Sequence, residues 1–96
     1  MAREIIRQGD VVLERRAKLP RTARHVAEHL RIASESGNPH ELTGKVYGTR
    51  NGMQYVVLEQ ESQLTHPQHD PKVVAAGVYE VRSVRDFRPQ PPRFAD

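Results

Sequence analysis

The residues ELTGKVYGT (41–49), RNG (50–52) and MQYVVLEQE (53–61) decide the fold class. Two runs rich in β-branched and aromatic residues flank Asn51-Gly52, a pair that favours hairpin turns because both positions tolerate positive φ. With Asn51-Gly52 as the loop, paired residue numbers sum to 103. The resulting pairs are Val46–Val57, Tyr47–Val56 and Gly48–Tyr55. Because apolar partners then meet on both faces, the pattern predicts a hairpin inside a barrel or sandwich.

Shorter apolar runs on either side predict further strands. One strand is expected over residues 11–15, and residues 72–75 and 78–84 are expected to pair around Ala76-Gly77. Residues 22–27 favour a loop or a helical turn with Thr22 as N-cap, followed by a strand near residues 29–35. The sequence therefore predicts an all-β barrel or sandwich of about six short strands.

The chain has 96 residues, which fits one small domain. We expect residues 1–88 to form a single β domain with a loosely held N-terminus. Three of the seven prolines fall in residues 89–96, which predicts an extended, proline-rich C-terminal arm.

Composition excludes several kinds of site. The sequence has no cysteine, so disulfides and thiolate metal sites are both excluded. No apolar run approaches the roughly 20 residues that cross a bilayer, and no signal peptide is evident. The expected location is the cytoplasm, or the inside of a particle assembled there, with no membrane contact.

Charge is unevenly distributed along the chain. Residues 1–31 carry eight Lys and Arg against four Asp and Glu, and residues 71–96 carry five against three, whereas residues 32–70 carry two against five. Basic ends are compatible with nucleic-acid binding, and Tyr79, Arg82 and Phe87 bring aromatic and basic residues together. The alternatives are a solvated basic surface and, for Tyr79, a core position.

The residues LTHPQHDP (64–71) hold the candidate functional site. His66 and His69 lie three positions apart, and His40 follows a turn elsewhere in the chain, so the three imidazoles are candidate ligands for one divalent metal ion. Zinc, nickel and iron all accept imidazole. The competing interpretation is that these histidines are solvated side chains on a surface loop.

Another histidine pattern suggests peptidase chemistry. His25, Glu28 and His29 match H-x-x-E-H, a zinc-peptidase motif that requires a helix and a much larger enzyme. We interpret this match as a coincidence. The sequence has no nucleophile elbow, Walker loop or G-x-G-x-x-G motif.

The chain resembles a family of small bacterial and phage-borne proteins. Members open with Q-G-D-V-x-L, here residues 8–13, carry G-H-x-H mid-chain, and close with L-T-H-x-x-H-x-P and G-x-Y-E-V-R. The matching closing residues are Leu64, Thr65, His66, His69, Pro71, Gly77, Tyr79, Glu80, Val81, Arg82, Arg85 and Phe87.

The middle of the chain departs from that family pattern. Pro39-His40-Glu41-Leu42 stands where G-H-x-H is expected, so Leu42 replaces one histidine. If the family's four histidines bind a metal ion, the resemblance implies that this chain keeps three of them. It implies an architecture and a site location, and no reaction.

These observations favour a non-enzymatic accessory or assembly module, for example one that decorates a virion or another particle. Its expected partner is a protein, either a second copy or a larger assembly, contacted through the C-terminal arm. One alternative is a small metal-dependent enzyme that uses the same histidines with Glu41 or Asp70 as base. The other is a nucleic-acid-binding β-barrel.

Overall fold

A computed structural model describes residues 4–33 and 37–83. Its eight strands are β1 (Ile5–Gln8), β2 (Val11–Arg16), β3 (Arg24–Ile32), β4 (His40–Gly48), β5 (Gln54–Leu58), β6 (Ser62–His66), β7 (His69–Val74) and β8 (Gly77–Ser83). The predicted all-β class is confirmed, with eight strands where about six were expected. Within these residues there is no helix long and apolar enough to cross a membrane.

The strands pair antiparallel in the order β1-β2-β8-β5-β4-β6-β7. The two strands at the ends of this order, β1 and β7, lie in contact, so the sheet curls into a nearly closed barrel. β3 pairs with β4 and lies outside that order. The histidine-bearing strands β4, β6 and β7 are therefore consecutive in the barrel wall.

The interior of the barrel is filled by aliphatic side chains around one tyrosine. Tyr79 on β8 is fully buried, and its hydroxyl donates a hydrogen bond to Ala75 O at 2.8 Å. The other buried members of the core are Val11, Leu13, Leu30, Leu42, Val46, Val56, Leu58, Leu64 and Val74. The aliphatic members come from β2 to β7, and Tyr79 is the member from β8. Because burying one such aliphatic side chain contributes about 1.5–3 kcal/mol, these residues stabilise the closed sheet.

The β4–β5 hairpin forms as predicted, but the predicted register is wrong by one residue. Val46 lies opposite Val56 and Tyr47 opposite Tyr55, so paired numbers sum to 102. Thr49 N donates to Met53 O at 2.9 Å, which leaves a three-residue loop. Of the loop residues only Gly52 has a positive φ, of 88°, so this is the bulged hairpin loop and not the two-residue turn.

The second predicted hairpin, around Ala76-Gly77, is wrong. β7 pairs with β6, whereas β8 pairs with β2 and β5 on the other side of the barrel. Local turn chemistry was a poor guide here because β8 gains two long-range partners and buries Tyr79 among them. The histidine segment forms the ends of β6 and β7 and the turn between them, and not the surface loop of the competing interpretation.

The loop or helical turn predicted over residues 22–27 is wrong from Arg24 onwards, whereas the strand predicted near residues 29–35 is present as part of β3. β3 is one continuous nine-residue strand, and its register against β4 shifts on both sides of Ala27. These bulges explain the ambiguous pattern, since they interrupt the alternation of inward and outward side chains. Leu30 reaches the core, and most of the strand is exposed.

Residues 5–8, expected to belong to a loosely held N-terminus, form a paired strand. β1 pairs with β2 across a turn at Gly9, with Gln8 opposite Val11. The expected C-terminal arm, residues 89–96, lies outside the described residues, as do residues 84–88 of the predicted domain.

Candidate functional site

The three candidate histidines lie together, as the sequence predicted. His40 begins β4, His66 ends β6 and His69 begins β7. The ring centroids are 4.4 Å apart for His40 and His66, 4.7 Å for His66 and His69, and 6.0 Å for His40 and His69. Below, these three residues are called the histidine cluster.

Strand pairing explains how the cluster assembles. Glu41 of β4 pairs with Thr65 of β6, which places the neighbouring His40 and His66 side by side. His66 and His69 are directly paired in the β6–β7 hairpin. Between that pair and the next one, Leu64 with Lys72, β7 holds one residue more than β6, and this bulge accommodates Pro71, which cannot donate to the ladder.

Burial differs sharply across the cluster. His40 is 0% exposed and His66 is buried, whereas His69 is exposed. His69 also lines an open cavity of about 400 Å³ together with Arg7, Gly9 and Lys72. The cluster therefore reaches from the barrel interior to solvent through one ring.

Gln8, which is only 2% exposed, orients His40. The Gln8 amide nitrogen donates to Leu64 O at 3.0 Å and to Asp70 O at 2.8 Å. Both amide hydrogens are thereby used, so the amide oxygen accepts the 2.9 Å hydrogen bond from His40 Nδ1. His40 consequently carries a proton on Nδ1, and its Nε2 lies on the opposite side of the ring.

Asp10 faces that second nitrogen. Asp10 Oδ1 lies 3.2 Å from His40 Nε2. Burial lowers the pKa of His40, the Asp10 contact opposes this shift in part, and the neighbouring His66 and His69 reinforce it. Because a carboxylate only accepts, this contact is a hydrogen bond when His40 Nε2 also carries a proton. In neutral His40 the Nε2 lone pair faces the carboxylate oxygen, and a cation bound to both atoms would stabilise that arrangement.

His66 is bonded at both ring nitrogens. Gln68 N donates to His66 Nδ1 at 3.0 Å, so Nε2 carries the proton and donates to Asn38 O at 2.9 Å. The ring thus ties the β6–β7 turn to the segment that leads into β4. In this conformation His66 has no lone pair directed at His40 or His69.

Gly9 brings the β1–β2 turn against the rings. Its φ is 57°, a conformation that favours glycine, and a Cβ there would lie 2.7 Å from His69 Nε2 and 3.3 Å from His40 Cε1. The absence of a side chain at this position lets the backbone approach both imidazoles.

The polar groups of the site are satisfied within the protein. Among the described residues, every buried side-chain nitrogen or oxygen atom has a hydrogen-bond partner. Within the same residues, no group of three or more His, Asp or Glu side chains is arranged to hold a metal ion. Two potential metal-ligand atoms, His40 Nε2 and Asp10 Oδ1, face each other. Metal binding by the histidine cluster stays a prediction.

Comparison with known proteins places this site within a domain family. Residues 7–84, more than half of the chain, match the family described as Domain of unknown function (DUF8820). The chain belongs to this family. No curated protein and no solved structure matches it.

The DUF8820 match includes all of the site residues, from Gln8 to Asp70. The resemblance to bacterial and phage-borne proteins stays a prediction, as does the motif pattern assigned to that family. Leu42, which stands where the resemblance expects a histidine, is a core residue that packs with Leu30. Its side chain contributes to the barrel interior and not to the histidine cluster.

The carboxylates proposed as catalytic bases in the enzyme alternative lie elsewhere in this DUF8820 chain. Glu41 Oε1 contacts His29 Nε2 at 2.9 Å on the exposed face of β3 and β4. Asp70 is exposed, and it meets the site through its backbone carbonyl, which accepts from Gln8. Asp10, which was not predicted as a site residue, is the carboxylate that contacts His40.

The H-x-x-E-H match has no helix to support it. His25, Glu28 and His29 lie on β3, where His25 contacts Glu28 and His29 contacts Glu41. The two histidines therefore do not converge on one ion.

The aromatic and basic residues considered for nucleic-acid binding are used structurally where the structure describes them. Tyr79 is in the core, and Arg82 pairs with Glu14 at 3.2 Å and Glu80 at 3.4 Å. The core interpretation of Tyr79 is correct. Phe87 lies outside the described residues.

Proposed function

We propose that this protein is a small, non-enzymatic binding module that takes up one divalent transition-metal ion at the histidine cluster, with His40 Nε2 and Asp10 Oδ1 as its first two ligands. The observation that carries the proposal is their 3.2 Å separation. Two ligands about 2.0–2.2 Å from a tetrahedral zinc ion lie about 3.3–3.6 Å apart, so the pair needs only a small adjustment to reach the required spacing.

Gln8 supports this assignment because it fixes the tautomer of His40. A metal-bound histidine commonly donates its other ring N–H to a fixed acceptor, which orients the ring and raises the basicity of the ligating nitrogen. Gln8 Oε1 is such an acceptor, and its own amide is held by two backbone carbonyls. His40 would therefore bind a metal ion without rearranging the barrel interior.

His69 is the proposed third ligand. Its ring is exposed, lies nearly parallel to that of His40, and has its Nε2 beside Gly9 in the same turn as Asp10. A rotation of this one exposed side chain would direct a nitrogen towards the ion, with water as a fourth ligand. In this proposal His66 is a positioning residue, because its Nδ1 holds the β6–β7 turn and its Nε2 holds the segment that leads into β4.

The donor set suits zinc, nickel or iron, since imidazole and carboxylate ligands are accepted by all three. The accessory or assembly role expected from the sequence is part of the same proposal, as is its cytoplasmic or particle-enclosed location. It is supported by the small size of the chain and by β3. Within the described residues β3 pairs only with β4, which leaves its other edge open to a partner protein.

Calorimetric titration of the metal-free protein with zinc chloride and nickel chloride tests the metal site. We expect one ion per chain. Asp10→Asn and His69→Ala should each weaken metal binding by at least about tenfold. Removal of an outer-shell partner alone can cause a loss of that size, so removal of a proposed ligand should cost no less. His25→Ala is the matched control, since His25 is an exposed histidine outside the cluster, and it should bind as the wild type does. Unchanged affinity in Asp10→Asn would refute the assignment.

A further inference from the structure

A second site is indicated by three arginines that line one open cleft. The cleft has a volume of about 630 Å³, in the range of small-ligand sites. Arg21 and Thr22 lie in the turn before β3, Arg24 and Val26 on β3, and Gly48, Thr49 and Arg50 at the end of β4 and in the hairpin loop. Arg24 pairs with Gly48, which joins the two walls.

The three arginines differ from half of the other eight Lys and Arg residues that the structure describes. Arg15, Arg16, Lys45 and Arg82 each lie against a carboxylate. In contrast, Arg21, Arg24 and Arg50 are exposed, and within the described residues none of their side chains has an ion-pair or hydrogen-bond partner. Among the described residues, none with an acidic side chain lines the cleft. The cleft thus holds three arginines without an anion from the described part of the chain.

The form of the cleft fits a ligand larger than an inorganic ion. Gly48 places no side chain in it, and a Cβ there would be only in van der Waals contact with Val26 Cγ1, at 3.8 Å. Val26 is 61% exposed and presents an apolar surface beside the arginines. A planar guanidinium can form a bidentate pair of hydrogen bonds with two phosphate oxygens. The apolar surface of Val26 would contact a sugar or base.

We propose that this cleft binds the phosphate groups of a nucleotide, either free or within a single nucleic-acid strand. The site is distinct from the histidine cluster and depends on none of its residues. It also differs from the aromatic and basic segment near the C-terminus, because its cations come from the β2–β3 connection, β3 and the β4–β5 loop. Of the eight basic residues in 1–31, Arg21 and Arg24 line this cleft.

Fluorescence anisotropy with a labelled 12-nucleotide single strand, together with competition by adenosine triphosphate, tests the proposal. We expect salt-dependent binding that falls at least tenfold when Arg21, Arg24 and Arg50 are all replaced by Ala. The magnitude of the slope of log affinity against log salt should decrease by about 2, since three phosphate contacts are lost and each single-strand contact contributes about 0.7. Arg31→Ala is the matched control, because Arg31 is an exposed arginine of β3 outside the cleft.

The outcomes are separable. Displacement by adenosine triphosphate at micromolar concentration identifies a free nucleotide as the ligand, and displacement only by another strand identifies nucleic acid. If the triple variant fails to fold by circular dichroism, Arg24→Ala and Arg50→Ala are measured singly, with an expected loss of at least threefold each. No binding by the wild type at low salt, equal losses in Arg31→Ala, or equal binding of polyglutamate would overturn the proposal. None of these results depends on metal binding.

Discussion

Gln8 Oε1 accepts a 2.9 Å hydrogen bond from His40 Nδ1, and this contact determines which nitrogen of His40 faces Asp10. The two residues are separated by 32 positions in the sequence and meet because β1 and β7 close the barrel next to β6. A buried amide at the start of the chain thus organises an imidazole in the middle of it.

Replacing Gln8 should destabilise the barrel. Gln8→Met keeps a similar volume and leaves His40 Nδ1, Leu64 O and Asp70 O without their partner. Because each buried polar group left unsatisfied costs about 1–3 kcal/mol, we expect the free energy of unfolding to fall by about 2–4 kcal/mol. Urea denaturation measures this. Gln63→Met, at an exposed position on β6, is the control and should change stability little.

Gly9 should be more sensitive to substitution than another glycine of positive φ. Gly9→Ala adds backbone strain and a Cβ that overlaps His69 Nε2, whereas Gly52→Ala, at a φ of 88°, adds the strain alone because nothing lies within 4 Å. The strain amounts to about 1–2 kcal/mol. Thermal unfolding should therefore show a larger loss for Gly9→Ala. Equal losses would mean that the rings move away from the turn without cost.

Stability should depend on pH through His40. Burial lowers the pKa of His40 in the folded protein below the ordinary value of 6.5. At a pH between that lowered pKa and 6.5, the unfolded state therefore binds more protons than the folded state. The contribution of His40 is constant above about pH 6.5, and stability falls as the pH drops from there towards the folded-state pKa. Urea denaturation from pH 8 to pH 5 measures the slope.

His40→Gln is the comparison for that experiment, since it removes the titrating group and leaves Asp10, His66 and His69, which face it. The variant should lose stability at pH 8 and show a shallower decline towards pH 5. A decline as steep as that of the wild type would assign the pH dependence to other groups.

Two glycines of β4 should respond differently to alanine. A Cβ at Gly44 would overlap Leu58 Cδ2 and lie 3.0 Å from Val56 Cγ2, whereas a Cβ at Gly48 meets nothing closer than 3.8 Å. Gly44→Ala should lower the free energy of unfolding by about 1–3 kcal/mol, the usual cost of an overpacked core. Gly48→Ala should be close to neutral, and a similar loss in both variants would contradict the close packing at Gly44.

The sequence predicts the fold class and the location of the site, and its errors have definable causes. Strand-forming runs and turn residues are local signals, so β2 and the β4–β5 hairpin were found. The one-residue error in register arose because Asn51-Gly52 fits two loop lengths, and burial of Val46 against Val56 selects the longer loop. The partners of β8, which are β2 and β5, depend on long-range pairing that no local pattern contains. β7 pairs instead with the preceding strand β6, a local hairpin that was not predicted.

The histidine cluster could be predicted because His66 and His69 are close in sequence and His40 follows a turn. Gln8 and Asp10 were missed as site residues because a glutamine and an aspartate flanking a glycine are common in turns. Their role depends on the closure of β1 against β7, which only the three-dimensional structure reveals. The signal available in the sequence was the apolar stretch at residues 11–13. A strand there can pair across the Gly9 turn with a strand that ends at Gln8.

The most direct test of the proposed metal site is anomalous diffraction at the zinc edge from crystals of the protein grown with zinc chloride. We expect one strong anomalous peak about 2.0–2.2 Å from both His40 Nε2 and Asp10 Oδ1, with the His69 ring turned towards it. If zinc is found only at other surface histidines, such as His25 or His29, and His40 Nε2 still faces Asp10 with nothing between them, the proposed site is contradicted.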